Sequence, residues 1–360
     1  MREFRVLDLR NDEEMQSLLS LWRRWRPTEV WAHPALTLAF AGVEDQPLCL
    51  TMTSGAGAVL FPLILRNLRA LSWCSDDAVQ DATGPYGYGG PFISGEGAKL
   101  ADSFSTYVDA WASEHNVVSL FARLHLFDDQ LVALRGAELV NRRMNIVRSL
   151  DLTEEELWRD YEHKVRKNVK RARQHGITIT VEQDLTFLDL FWDIYQTTMS
   201  RRMAADRYQH SLEFFVDLLT PLSGQYAFFF AWLDGLPVST ELVLLSDLWS
   251  YSFLGGTDET AFVTRPNDLL KHEIILWSRA RGLKGYVLGG GYQPEDGIFR
   301  YKRSFAPNGQ RPFFTLSRTF DPDRYDKLVN TRAIWGRTQG VEWLPDPGWF
   351  PLYRAPSATR

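Results

Sequence analysis

Two apolar runs on either side of Asp234-Gly235 constrain the fold more than any other stretch. Residues 226–233 and 238–245 are rich in aromatic and branched side chains, and an Asp-Gly pair between such runs predicts a tight hairpin. Residues 249–254 supply a third antiparallel strand. Around this trio the sequence places helices and single strands. A Thr153-x-x-Glu156 capping box starts a helix whose inward stripe is Trp158, Tyr161, Val165, Val169 and Ala172, with Gly176 as its stop. Residues 177–182 alternate as a strand. Residues 186–202 form a helix with Leu188, Phe191, Trp192, Tyr195 and Met199 inward, and 211–219 form a shorter one. Pro266 opens a helix that runs to Ala280, and residues 286–288 are a strand.

The first half is mixed in the same way. It reads as a strand at 4–9, a helix at 12–25 with Leu18, Leu19, Trp22 and Trp25 inward, and strands at 48–53 and 58–66 around a Ser-Gly-Ala-Gly turn. Residues 71–74 extend that sheet. Residues 97–114 and 128–134 are helices, and 117–124 and 146–152 are strands. The stretch Thr83-Gly84-Pro85-Tyr86-Gly87-Tyr88-Gly89-Gly90-Pro91-Phe92 is too rich in Gly and Pro for a regular element, so it holds its two tyrosines on an irregular segment. The residues after 320 read as an irregular, aromatic-rich extension, with 343–353 packed onto the body because so much aromatic surface is costly to leave wet. The expected organisation is α/β (α+β), with domains at 1–150 and 151–320 and the extension at 321–360.

Composition bounds the function. With 360 residues, 45% of them hydrophobic, the chain can bury a large core. It has no apolar run long enough to span a bilayer and no signal-like N-terminus. Two cysteines without CxxC spacing give no disulfide framework and point to the cytoplasm, and seven scattered histidines argue against a metal site. The net charge of −5 means that a polyanion must meet a local basic patch. The best patch lies at residues 159–173, where Lys164, Arg166, Lys167, Lys170, Arg171 and Arg173 share one helix. Cations near a helix C-terminus suit the macrodipole; because acids do not alternate with them after Glu162, a phosphate-binding surface is the favoured reading. The run Leu288-Gly289-Gly290-Gly291 followed by the aromatic-cationic turn Phe299-Arg300-Tyr301-Lys302-Arg303-Ser304-Phe305 reads either as the floor of a pocket or as a backbone turn. No dinucleotide or P-loop fingerprint is present.

Taken together, Tyr86 to Pro91, Val165 to Ala172, Thr198-Met199-Ser200-Arg201 with Tyr208, Arg265-Pro266-Asn267-Asp268, the glycine triplet and the Phe299–Phe305 block resemble the FemABX-like branch of the GNAT-related acyltransferases. The resemblance spans residues 4–314. It implies tandem GNAT-like domains, each a mainly antiparallel sheet flanked by helices, with a groove between or along them. It implies amide formation, with an aminoacyl group passing from aminoacyl-tRNA to an amine of a cell-wall precursor or another small acceptor. The Gln/Arg-x-x-Gly-x-Gly/Ala loop that seats the pyrophosphate of CoA is not visible, so aminoacyl-tRNA is the expected co-substrate and acetyl-CoA the alternative. A non-catalytic module for a phosphorylated ligand is the third reading.

On this resemblance Lys302 stabilises the oxyanion or binds a terminal phosphate, and Tyr301 lines the same place. Arg201 and Tyr208 hold acceptor phosphates or carboxylates, with helix-end capping and packing as the plainer account. Tyr88 touches the acceptor, Arg166 and Lys170 track a phosphate chain, and Gly289, Gly290 and Gly291 line the cleft. Asn267 either meets ligand or caps the helix after Pro266. No side chain stands out as general base: Glu241 and Asp296 are available, and the substrate itself could serve.

Overall fold

A computed structural model describes residues 2–24, 26–76, 79–127, 129, 131–202 and 209–357. The chain opens with β1 (Glu3–Asp8), α1 (Asp12–Arg24), α2 (Pro34–Phe40), β2 (Gln46–Ser54) and β3 (Gly57–Asn67). Next come β4 (Gln80–Thr83), β5 (Phe92–Gly95), α3 (Ala101–Glu114), β6 (Val117–Arg123) and β7 (Glu138–Ser149). The middle of the chain holds α4 (Glu154–Asp160), α5 (His163–Gln174), β8 (Thr178–Glu182), α6 (Leu188–Arg201) and α7 (Leu212–Leu219). It continues with β9 (Tyr226–Leu233), β10 (Leu236–Leu245), β11 (Trp249–Thr257), α8 (Pro266–Ala280), β12 (Gly285–Gly289) and α9 (Gly297–Arg303). The last elements are β13 (Gln310–Thr319) and α10 (Pro322–Thr338).

These elements form two compact units. The first comprises Met1–Arg26, Trp31–Arg142 and Phe313–Arg360; the second comprises Pro27–Val30 and Arg143–Pro312. The fold class is mixed α/β with mainly antiparallel sheets and flanking helices, as the sequence indicates.

In the first unit β1, β2, β3 and β4 pair antiparallel in that order, β4 runs parallel to β6, and β6 pairs antiparallel with β13. Phe104, Val108 and Trp111 of α3 pack on Leu48, Leu50, Phe61 and Leu63 of the sheet. Residues 71–74 do not extend this sheet but turn toward β4. The expected helix at 128–134 is not borne out by its described residues: Leu131 bridges Phe92, and 132–134 are irregular. Trp25 lies outside the described residues. The tail is not irregular throughout, because α10 forms there on an Asp321 cap. Leu328 of that helix, Trp73 and the fully buried Tyr353 make a small core of their own. Tyr353 bonds Ser119 at 2.7 Å, and Arg354 reaches the buried Asp81 at 2.5 Å, which also accepts from Arg66 at 2.8 Å.

The second unit is built on the expected hairpin. Asp234 and Gly235 have φ of 50° and 78°, the left-handed pair that a tight β9–β10 turn requires. Its strand order is β7-β12-β11-β10-β9-β8, antiparallel except for β11 against β12. That parallel pairing covers only Trp249 to Tyr251 against Gly285 to Val287, so the two strands part beyond it. On one face Val165, Val169 and Ala172 of α5 and Leu270 and Ile274 of α8 pack on Phe229, Val243 and Tyr286. On the other, Phe191 and Tyr195 of α6 meet Phe215 and Phe228.

The single helix expected from 153 to 176 is two. Its capping box is present, but Tyr161 is extended and the chain restarts at His163. Tyr161 is held edge-on against His272 and Phe305, with ring centroids 5.7 and 5.6 Å apart, while the amide of Glu162 donates to Ser304 at 2.9 Å. These distant partners break a periodicity that by itself reads as continuous. Among the described residues no helix is long and apolar enough to cross a membrane. Leu270, fully buried in the second core, provides a test: Leu270→Ala should cost about 2–5 kcal/mol in urea denaturation, and a loss below about 1 kcal/mol would contradict its place in the packing.

Candidate active site

The parting of β11 and β12 sets the polar interior of the second unit. Lys271, from the buried side of α8, points at β10 and β11. Its ammonium donates to Glu241, to Ser252 at 2.9 Å and to the Tyr286 hydroxyl at 3.0 Å. Tyr286 in turn donates to Glu241. The side chains of Lys271 and Glu241 are only 7% and 4% exposed, so each charge depends on the other. Burial draws the lysine below its ordinary range, opposed by Glu241. Burial, with Glu241 beside it, drives Tyr286 far up, so this hydroxyl stays protonated. Glu241 thus has an ammonium and a phenol as partners, an arrangement unlike that of a free general base.

Next to this cluster stand the glycines and Lys302. Gly289 has φ of 81°, a left-handed backbone that favours glycine, and a Cβ on Gly291 would lie 2.3 Å from an oxygen of Asp296, whose carboxylate is held by backbone amides. The same open backbone lets the Lys302 ammonium donate to the Gly290 carbonyl at 2.8 Å. The expected proximity of the triplet and Lys302 is therefore present. Burial first, then the charge of Lys271, lowers Lys302 from 10.5 to about 7, against the opposing pull of Glu241 and Asp296.

Asp296 serves the loop. It caps α9 by accepting from the amide of Phe299 at 2.7 Å and also binds the amides of Tyr292 and Gln293 at 2.7 and 2.9 Å. Desolvation works against its charge, but these backbone donors prevail and hold its pKa below the usual carboxylate value. A carboxylate so occupied is a poor base. The block from Phe299 onward is the helix α9 rather than the expected turn. Tyr301, on that helix, has its hydroxyl buried with no hydrogen bond of good geometry. Burial, then the charges of Asp268 and Glu241, raise its pKa strongly, with the Asn267 side chain opposing. Asn267 therefore lies beside Tyr301, and α8, which begins just before it, has no side-chain cap bond at its N-terminus. Asp268 is 7% exposed and accepts from Asn168 of α5 at 3.1 Å. Burial raises it to about 6, against Asn168 and the nearby Arg265 and Lys164.

Other expected site residues are placed differently. The Arg166 guanidinium turns back onto the end of α4 and donates to the carbonyls of Tyr161 and, at 3.0 Å, Arg159, which satisfies a helix terminus. Lys170 is exposed on α5, as is Lys167. Arg201 donates to the Thr257 carbonyl at 3.1 Å and lies 4.9 Å from the Phe262 ring centre. Tyr208 lies outside the described residues. Tyr88, in the first unit, is set edge-on among Trp31, His125 and Phe313 at 5.3, 6.4 and 5.5 Å, and burial raises its pKa. Gly87 beside it has φ of 102°, and a Cβ there would strike Trp31 at 2.0 Å. Lys271 was not singled out from the sequence, and Tyr286, Asp268 and Asn168 stood in runs that were read there without being given a role. One signal was available for the first: a lysine stands among the buried stripe of α8.

Residues 159–303 match the family described as an acetyltransferase (GNAT) domain. No curated protein matches the chain. Among solved structures, the crystal structure of FemX aligns with a TM-score of 0.65 at 13% identity, covering 87% of this chain and 97% of that one. The structure of L-PGS from Bacillus licheniformis aligns with a TM-score of 0.55 at 12% identity, covering 91% and 97%. The matched segment, which contains Lys271, Tyr286 and Lys302, is similar to GNAT acetyltransferase domains. The chain's fold is FemABX-like.

Two outcomes follow from the site. Lys271→Met should destabilise by about 3–5 kcal/mol because it strands a buried carboxylate, and adding Glu241→Gln should restore part of the loss; a double variant no better than the single would refute the pairing. For Lys302, the unfolded chain holds its proton up to about 10.5 while the folded one releases it near 7. Its contribution to stability therefore rises with pH between these values. Lys302→Met should flatten that rise in denaturation midpoints. A Lys302 resonance, assigned by its loss in Lys302→Met, that titrates near 10 in the native protein would rule the argument out.

Proposed function

We propose that the chain forms an amide by moving an aminoacyl group from aminoacyl-tRNA to the amine of a cell-wall precursor or another small acceptor. The observation that carries this is Lys302, a buried amine fixed on the Gly290 carbonyl at 2.8 Å beside a buried ion pair, its pKa lowered by burial to about 7. The ester of the donor is already activated, so the protein has to align the amine, stabilise the oxyanion and manage one proton. The amine nitrogen bonds to the ester carbon, the carbon–oxygen bond breaks, and its electron pair leaves with the ribose oxygen. The proton lost by nitrogen ends on that oxygen. Protonated Lys302 has donors beyond the one given to Gly290, which suit the developing oxyanion; neutral Lys302 suits the passage of the proton. Tyr301 lines the same interior. The FemX-like fold agrees with this reading.

The start of α8 bears on the donor. A pyrophosphate is best received by free backbone amides at a helix N-terminus. Here the first position is Pro266, which has no N–H, and the third is the buried Asp268. These residues fit the pyrophosphate of CoA poorly and favour the tRNA ester. The acetyltransferase family match is what favours the second reading, acetyl transfer from CoA.

Labelled aminoacyl-tRNA and labelled acetyl-CoA, each incubated with candidate amines, separate the two. Transfer from the tRNA is expected, and Lys302→Ala should lower kcat/KM by about 10²–10³-fold with its circular dichroism unchanged. Label passing only from acetyl-CoA would overturn the donor, and full activity in Lys302→Ala would overturn the site.

A further inference from the structure

The link from β11 to α8 exposes an aromatic ring that the chemistry above does not use. It is a 3-10 turn, Glu259–Thr264, in which Phe262 and Val263 are 44% and 55% exposed. The Arg201 guanidinium lies 4.9 Å from the Phe262 ring centre, held by the Thr257 carbonyl at 3.1 Å and more loosely by Glu259 at 3.9 Å. The turn leads through Arg265, which is exposed with φ of 63°, directly into Asn267 and Asp268 beside Tyr301. On the adjoining side, Asn168 ties α5 to Asp268. The exposed side of α5 carries Lys164, Lys167 and Lys170. Of these, Lys164 is near Glu162 at 3.3 Å, and no acid pairs with Lys167 or Lys170 among the described residues.

We infer that Phe262, backed by Arg201, is a stacking platform for an unpaired nucleobase at the 3′ end of an RNA, whose phosphates run along the lysines of α5. This rests on the aminoacyl-tRNA reading and adds the place where the terminal base is held. The size of the patch favours a base over a protein surface. Two adjacent apolar side chains fall far short of the roughly 800 Å² per partner of a stable protein interface, whereas one ring face matches one base. The cations on α5 add what an RNA backbone needs and an apolar partner does not. A ring on a short turn that leads into the first turn of α8 holds the terminal base close to the element that carries Asn267 and Lys271, so stacking there orients the ester as well as binding it.

The test uses a tetraribonucleotide ending in CCA with 2-aminopurine as its terminal base, whose fluorescence is quenched on stacking. The full chain should quench it. Phe262→Ala should weaken binding about tenfold and remove most of the quench, and Phe262→Trp should keep both. Lys167→Ala should leave the quench intact and flatten the salt dependence of log K by about 0.7. No quench with the wild-type chain, or an undiminished quench with Phe262→Ala, overturns the inference. If aminoacyl transfer from tRNA proceeds while Phe262→Ala quenches normally, the platform fails and the transfer reading stands. A quench lost in Phe262→Ala, together with transfer from acetyl-CoA alone, keeps the platform and removes the donor assignment.

Discussion

The second unit depends on one buried ion pair. Moving an ammonium and a carboxylate out of water costs several kcal/mol each unless their bonding capacity is filled. Here Lys271 has Glu241, Ser252 and Tyr286 as acceptors, and Glu241 receives Lys271 and Tyr286. These four residues come from α8, β10, β11 and β12. Their bonds join the helix to the strands near the place where β11 and β12 stop pairing. An apolar core alone would tolerate sliding of these elements, while a filled polar cluster accepts one arrangement.

The same pair shapes the chemistry next to it. Burial first, and then the Lys271 ammonium nearby, make Lys302 give up its proton more readily than a free lysine. The glycines make that placement possible by removing side chains from the wall it faces, and Asp296 holds the loop between them by binding three backbone amides. Sterics, loop hydrogen bonding and electrostatics thus converge on one amine. The plainer account of the glycines, a backbone solved for its own sake, and the functional one describe the same geometry.

Much of the second unit was legible in the sequence. Apolar runs rich in aromatic and branched side chains around Asp234-Gly235 specify β9 and β10, and the stripe of Val165, Val169 and Ala172 specifies the inward face of α5. Lys302 and the glycines were legible as neighbours because few residues separate them. Less legible was the break at Tyr161, since it depends on His272 and Phe305, which are far away in the chain. Helix α10 was hidden for a related reason: its sequence shows little apolar stripe, and it gains stability by docking Leu328 and Tyr325 against Tyr353.

Taken alone, the sequence determined the strands, the hairpin, most helices and the run in which glycines precede an aromatic-cationic block, because local periodicity and backbone sterics act over a few residues. Only the tertiary structure decided which charges remain available. It turned Arg166 onto the end of α4, occupied Asp296 with amides, and paired Lys271 with Glu241. A charge's role depends on what folding brings beside it and how much water it removes, and neither is written in the spacing of residues along the chain.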